Sequence, residues 1–353
     1  LSKFWSPLTA SLVPYVPGEQ PKDKTYIKLN TNENPYPPSP KVTDAIKGAA
    51  NADLRLYPDP TCDVLVQAAA NYYGLPAEQV FVGNGSDEIL AFAFAAFFDP
   101  AKKLLFPDIT YSFYKVYAKL YGLQTELIPL DEQFNVQVEA YHSDNGGIII
   151  PNPNAPTAQL LPLEDIRTLL ESNPNQAVII DEAYIDFGGQ SAVELITDYP
   201  NLLVVQTLSK SRSLAGLRVG FAFGSKELIE GLNRIKNSFN SYTLDRLALA
   251  GAVASFEDDA YFRETTAKVI ATRERVTEQL LAIGFKVTDS KANFVFISHK
   301  AIAAKDIFQQ LRDKGVLVRY FDQPRINEYL RVSIGTDEEM DAFIQAVQEI
   351  VGE

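Results

Sequence analysis

Covalent and metal-held frameworks are out of reach for this chain, because the residues that build them are nearly missing. Among 353 residues there is one cysteine, Cys62, and only two histidines, His142 and His299. A lone thiol forms no internal disulfide, which fits a reducing cytoplasm, and so few sulfur and imidazole ligands leave no structural zinc site; no metal is expected. Long apolar runs are missing too. The stretch from Ile89 to Phe98 is about half of the ~20 residues that a membrane helix needs, so it reads as a buried helix and no membrane partner is expected. The opening Leu1-Ser2-Lys3-Phe4-Trp5-Ser6-Pro7 lacks the charged-then-apolar pattern of a secretion signal. Excess positive charge is absent as well: 32 Lys and Arg against 45 Asp and Glu leave −13, which argues against nucleic acid or an anionic membrane as partner. An anionic substrate must then be met by local arginines working against the overall field. No internal repeat and no low-complexity tract is present.

What remains is an ordinary globular composition, 46% hydrophobic and 22% charged, on a length that suggests two domains. Residues 1–39 are rich in Pro and Tyr with little periodicity and read as an extended arm. Ser39 followed by Pro40 supplies an N-cap and a first-turn proline for a helix to about Ala50. Asp63 to Tyr73 reads as an amphipathic helix stopped by Gly74. Seven segments read as strands: Val80 to Val82, Leu104 to Phe106, Thr125 to Ile128, Ile148 to Ile150, Val178 to Ile180, Leu202 to Val205 and Val219 to Phe223. Their alternation with helical segments predicts an α/β fold built on a doubly wound, mostly parallel sheet. A long helical pattern from Tyr261 to Ile283 leads into a smaller alternation of strand and helix, closed by a capping box at Thr336 and Glu339. The predicted division is a large unit over 40–283 and a small one made from 1–39 with 284–353.

The polar residues cluster where such a sheet binds ligands, at the carboxyl ends of its strands. Gly83-Asn84-Gly85-Ser86-Asp87-Glu88 follows the first run, and glycines ahead of a helix, with Ser86 as its cap, present free N–H groups to an anion. A dinucleotide fingerprint would need a third glycine where Glu88 stands, so that reading fails. Further strand ends carry Asp108-Ile109-Thr110-Tyr111, Asn152-Pro153-Asn154, and Asp181-Glu182-Ala183-Tyr184. After Leu202 to Val205 come Thr207, Ser209 and Lys210, with Arg218 eight positions on (218 − 210). A lysine in a confined pocket sheds its charge and can condense with an aldehyde. Any one of these residues alone reads as a solvated strand end or a turn; five such endings point to one shared pocket.

This set resembles the class I/II family of pyridoxal-phosphate-dependent aminotransferases of fold type I. Tyr15, Asn32-Glu33-Asn34-Pro35, Tyr57-Pro58 and Leu330-Arg331-Val332-Ser333-Ile334-Gly335-Thr336 stand in the family's order beside the motifs above. The resemblance implies that Lys210 bonds pyridoxal 5′-phosphate and shuttles the proton between substrate Cα and the cofactor's C4′. It implies Asp181 at the pyridine nitrogen, Tyr184 at the phenolic oxygen and Tyr111 stacked on the ring. The cofactor phosphate would be held by the backbone of Ser86 and Asp87 with Thr207, Ser209, Arg218 and, from a second subunit of a homodimer, Tyr57. Substrate would be bound by Tyr15, Asn32, Arg319, Arg331 and the second subunit's Tyr242. One departure stands out: the family's Asn-Pro-Thr-Gly is here Asn154-Ala155-Pro156-Thr157-Ala158, which leaves Asn154 as the residue for the phenolic oxygen.

Within the family the likeness is to members that transaminate L-histidinol phosphate against the 2-oxoglutarate/glutamate pair in histidine biosynthesis. The alternatives are an aromatic amino acid (phenylalanine or tyrosine) aminotransferase and a phosphothreonine decarboxylase. Outside it, a nucleotide-dependent dehydrogenase and a catalytically silent binding module are the competing classes. The first is disfavoured by the broken glycine fingerprint, the second by Lys210, Asp181 and Arg218 together.

Overall fold

The computed structural model describes residues 2–352, so the outermost residue at each end of the predicted small unit lies outside the described residues. All seven predicted strands form, as β1 (Val80–Gly83), β2 (Lys103–Pro107), β3 (Gln124–Ile128), β4 (Gly147–Pro151), β5 (Val178–Asp181), β6 (Leu202–Thr207) and β7 (Gly220–Gly224). They make one sheet in the order β1-β7-β6-β5-β4-β2-β3, parallel throughout except that β7 runs antiparallel to both neighbours.

The near-continuous apolar runs have a direct cause: apart from its exposed edge strand β3, this sheet is buried on both faces. Ile148, Ile150, Val178, Ile180, Leu202 and Val204 point to one side, where they pack with Val42, Leu65, Ile166 and Ala252. Their sequence neighbours Ile149, Ile179, Leu203 and Val205 point to the other, against Ile89, Phe94, Tyr114 and Leu232. A strand's period of two thus distributes one run between two helical layers.

A second sheet lies in the C-terminal part. β8 (Phe285–Val287), β9 (Phe294–His299), β10 (Arg319–Tyr320) and β11 (Leu330–Ser333) pair antiparallel in the order β10-β11-β9-β8. One face packs on the helices Asp259–Ala282, Ala304–Asp313 and Asp337–Val351 through Val269, Val276, Ile307, Phe343 and Val347. The Thr336 and Glu339 capping box forms, with Thr336 N donating to Glu339 Oε2 at 2.8 Å and Glu339 N to Thr336 Oγ1 at 3.2 Å. Ser39 caps the helix Pro40–Ala49 as expected, its hydroxyl accepting from Lys41 N at 3.2 Å.

The N-terminal arm is more structured than its composition suggests. Pro7–Ser11 is a short helix, and Ile27–Lys28 pairs parallel with Val316–Leu317, so the chain's beginning is stitched to its end. Just beyond that pairing, Asn32 bonds Ser333 of the second sheet and Asn34 bonds the Lys210 carbonyl past β6. Among the described residues no helix is long and apolar enough to cross a membrane.

Candidate active site

The carboxyl ends of β2, β4, β5 and β6 open onto a cavity of about 320 Å³ whose opposite wall is the arm and the second sheet. It is lined by thirteen of the residues singled out above: Tyr15, Asn32, Ser86, Asp87, Tyr111, Asp181, Tyr184, Thr207, Ser209, Lys210, Arg218, Arg319 and Arg331.

At the floor, Lys210 lies just past the carboxyl end of β6, and Asn34 Nδ2 donates to its backbone carbonyl at 3.0 Å. Its Nζ donates to the Thr31 carbonyl at 3.2 Å and lies 5.7 Å from the centre of the Tyr184 ring. Asp181, the last residue of β5, is 5% exposed. Tyr114 donates its hydroxyl to Asp181 Oδ2 at 2.8 Å, while Oδ1 is buried without a hydrogen-bond partner. Burial pushes this carboxyl up to about 6, and the Tyr114 hydrogen bond works against the shift. A buried carboxylate with one free oxygen calls for a cation. Asn32 donates from Nδ2 to the Tyr184 hydroxyl at 3.1 Å. Asn32 is itself held at φ 57°, with Ser333 Oγ accepting from its N–H at 2.9 Å and donating to its Oδ1 at 2.8 Å.

One side wall is an anion cradle. The helix Gly85–Phe97 aims its first turn at the cavity, and the N–H groups of that turn have no intrahelical acceptor. The expectation that Ser86 caps this helix is corrected: Ser86 lies inside the first turn. Gly85 turns the chain at φ 76°, one residue earlier, and Glu88 reaches back to accept from Asn84 N at 2.7 Å. The cradle depends on close approach. A Cβ at Gly220 would stand 2.6 Å from Ser86 N, and one at Gly85 would stand 2.6 Å from Arg218 Nη2. Arg218 Nη2 lies 3.4 Å from Asp87 Oδ2, and Asp87 Oδ1 accepts from the Tyr111 hydroxyl at 3.0 Å. Thr207 Oγ1 and Ser209 Oγ sit 2.9 Å apart on the same wall. Free amides, two hydroxyls and a guanidinium around a space that no side chain fills suit a phosphate, and the unpartnered Asp181 oxygen suits a protonated ring nitrogen. Pyridoxal 5′-phosphate therefore fits the residues present.

The far wall is cationic and aromatic. Arg331 on β11 donates from Nη2 to the Asn30 carbonyl at 2.9 Å, while its Nε is buried without a partner. Arg331 lies 5.4 Å from the Phe294 ring and 5.6 Å from the Phe321 ring, and Arg319 is 5.7 Å from Phe321. Tyr15 stacks on Phe113 with centroids 4.6 Å apart and stands 6.4 Å from Tyr111.

Asn154 does not line this cavity, nor do Tyr57 and Tyr242, which are expected from a second subunit. Asn154 is buried, but its Nδ2 is spent on the Ile109 carbonyl at 3.1 Å and Thr157 Oγ1 at 2.8 Å, so Ala155 and Pro156 line the wall instead. Tyr57 and Tyr242 stack on each other at 4.7 Å on the surface, 78% and 43% exposed. Conversely, Tyr114 and the Thr31 carbonyl act on Asp181 and Lys210 with no sign in the motifs above, and Asn34, quoted there without a role, holds the Lys210 backbone. The only sequence sign of Tyr114 was its place in the aromatic run Tyr111-Ser112-Phe113-Tyr114.

The family described as aminotransferase class I and II matches residues 24–347. A histidinol-phosphate aminotransferase of Clostridium acetobutylicum is 62% identical over 351 residues, which is 99% of this chain and 100% of that one. Its counterpart from Clostridium botulinum strain Langeland is 60% identical, covering 99% of both chains. Among solved structures, histidinol-phosphate aminotransferase from Sinorhizobium meliloti, in complex with pyridoxal-5′-phosphate, has the same fold, with a TM-score of 0.90 over 100% of this chain and 98% of that one at 24% identity.

Proposed function

This chain belongs to the class I and II aminotransferases, and we propose that within the family it moves an amino group between L-histidinol phosphate and the 2-oxoglutarate/glutamate pair, a step of histidine biosynthesis. The relatives at 58–62% identity over their full lengths support the substrate. One observation in the cavity carries the chemistry: Lys210 and the half-partnered Asp181 share a single space with the paired Arg319 and Arg331.

Pyridoxal 5′-phosphate is the cofactor, and when bound it supplies an aldehyde for amine exchange and a ring that accepts electron density from the substrate's Cα–H bond. The chain supplies everything else. Asp181, anchored by Tyr114, offers its free oxygen to the ring nitrogen; a cation there offsets the burial that raises the carboxyl and keeps it ionised. The Tyr184 hydroxyl, oriented by Asn32, would donate to the phenolic oxygen, while Asn154 Nδ2 is bonded to the Ile109 carbonyl. Tyr111, on the cavity wall, would cover the ring. Ser86, Asp87, Thr207, Ser209 and Arg218 hold the phosphate. Lys210 Nζ would act as the base that takes the proton from the substrate's Cα and holds it for return. Arg331 and Arg319 grip the substrate's phosphate or carboxylate, with Tyr15 and Asn32 as neutral partners.

The active form is a homodimer in which Tyr57 and Tyr242 complete the partner's cavity; their surface exposure and mutual stacking support this. The chain divides into a large unit over 40–283 and a small unit from both ends, supported by the separate seven- and four-stranded sheets, with the helix Asp259–Ala282 bridging them by packing Val269 and Val276 against the small unit. A cytoplasmic location accords with the single free cysteine. Aromatic amino acids are the second reading, favoured by Phe321 and Tyr15 on the substrate wall. Parallel assays with histidinol phosphate, phenylalanine and phosphothreonine test the choice. Histidinol phosphate should give the highest kcat/KM, and a preference for phenylalanine, or decarboxylation of phosphothreonine, would overturn it.

A further inference from the structure

Between β10 and β11 the chain makes a loop over 321–329 whose Phe321, Gln323 and Ile326 close the cavity beyond the two arginines. Ile326 and Tyr329 are buried among Ile109, Leu130 and Phe134 from the large-sheet side and Phe296 from the small sheet. At the rim of that cluster stands Arg325, which belongs to none of the roles above. Its guanidinium makes three bonds to the large-sheet side: Nη1 to Asp108 Oδ2 at 2.9 Å, and Nη2 to the carbonyls of Leu130 at 2.9 Å and Asp131 at 2.7 Å. Its backbone sits at φ 71°, a left-handed conformation that costs a non-glycine residue energy and persists only where surrounding contacts impose it.

Asp108 is shared. Its second oxygen accepts from Ile109 N at 2.9 Å and Leu130 N at 3.0 Å, fixing the segment that runs through Thr110 to Tyr111 on the cavity wall. One carboxylate therefore ties the strand end that carries Tyr111 to the loop that follows Arg319 and precedes Arg331. We infer that Arg325 is a positioning residue, a latch that holds the 321–329 loop on Asp108 so that the substrate-gripping arginines stay in register with the cofactor end of the cavity. Arginine is needed because a planar fork reaches a carboxylate and two carbonyls at once, whereas a lysine offers one point charge. The inference rests on the aminotransferase reading for its kinetic consequence but not for its structural one.

The test compares holoprotein of wild type, Arg325→Ala and Arg325→Lys by hydrogen exchange, by cofactor titration and by steady-state kinetics. In Arg325→Ala, the amides of 321–329, among them Ile326 N and Tyr329 N, should exchange faster while the strands of the large sheet do not. KM for both amino donor and 2-oxoglutarate should rise about tenfold with kcat changing much less, cofactor affinity should be unaltered, and Arg325→Lys should fall between. If Arg325→Ala does not fold, Arg325→Lys decides alone, by faster loop exchange and a raised KM. Unchanged exchange in the loop, faster exchange throughout the protein, unchanged KM, or a KM increase that merely follows weaker cofactor binding overturns the latch. Failure of the wild type to turn over histidinol phosphate would instead overturn the substrate reading, and the exchange and cofactor measurements would still decide on the latch.

Discussion

Arg319 and Arg331 stand directly opposite one another across the antiparallel pairing of β10 and β11. Like charges in a cross-strand pair repel, and burial pushes the Arg331 guanidinium down from its usual value, with the Arg319 charge adding to that shift. An anion between them relieves both. A phosphate monoester, which carries more negative charge than a carboxylate, gains most from the pair.

Arg319→Ala should therefore hurt histidinol phosphate more than phenylalanine, which brings no phosphate. Loss of a charge-assisted bond predicts roughly tenfold to a hundredfold lower kcat/KM for the phosphate substrate. Equal losses for both substrates would make Arg319 a structural residue only.

Tyr114→Phe removes one hydroxyl from a fully buried ring and leaves Asp181 with no side-chain partner. The protein should fold, but cofactor should bind about tenfold or more weakly, because the carboxylate loses a donor that favours its charged form. Spectrophotometric titration measures this, and wild-type affinity in the variant would remove Tyr114 from the site.

Asp181 also predicts a pH dependence in the cofactor-free protein. Its carboxyl is raised from 3.8 to about 6, so below about pH 4 it is protonated in both folded and unfolded states and carries no penalty. As pH rises through about 6 the buried group must ionise, and the native state loses roughly 2–3 kcal/mol. Asp181→Asn should accordingly melt higher than wild type at about pH 8, with the difference vanishing near about pH 4. A difference that does not change with pH would contradict the buried, ionising carboxylate.

How much of this was legible beforehand depended on the range of the interaction. Six of the seven strands are readable because burial on both faces leaves each a near-continuous apolar run, while the exposed edge strand β3 is not such a run, and the pocket is readable because polar residues gather at strand ends. Ser86 was misjudged since a serine just after glycine imitates a cap, whereas Gly85 and the back-reaching Glu88 set the true helix start. Asn154 is hard to place from sequence because a one-residue displacement lets its amide bond a local turn at Thr157. Tyr114 and Arg325 act on Asp181 and Asp108 across 67 and 217 residues, distances at which no local pattern speaks.

Tyr57 and Tyr242 give a prediction about assembly. Lys210→Ala and Tyr57→Ala, each inactive or nearly so, should partly restore activity when mixed and allowed to exchange subunits, since a mixed dimer holds one cavity with both residues intact. A fully active monomer in sedimentation would contradict the shared cavity.

Lys210 is the residue on which the cavity converges, and chemical trapping tests it most directly. Reduction of the holoprotein with borohydride, followed by peptide mass spectrometry, should place a pyridoxyl group on the peptide that contains Lys210 and on no other, with Lys210→Ala unlabelled. A pyridoxyl group on a different lysine, or none at saturating cofactor, would contradict the assignment.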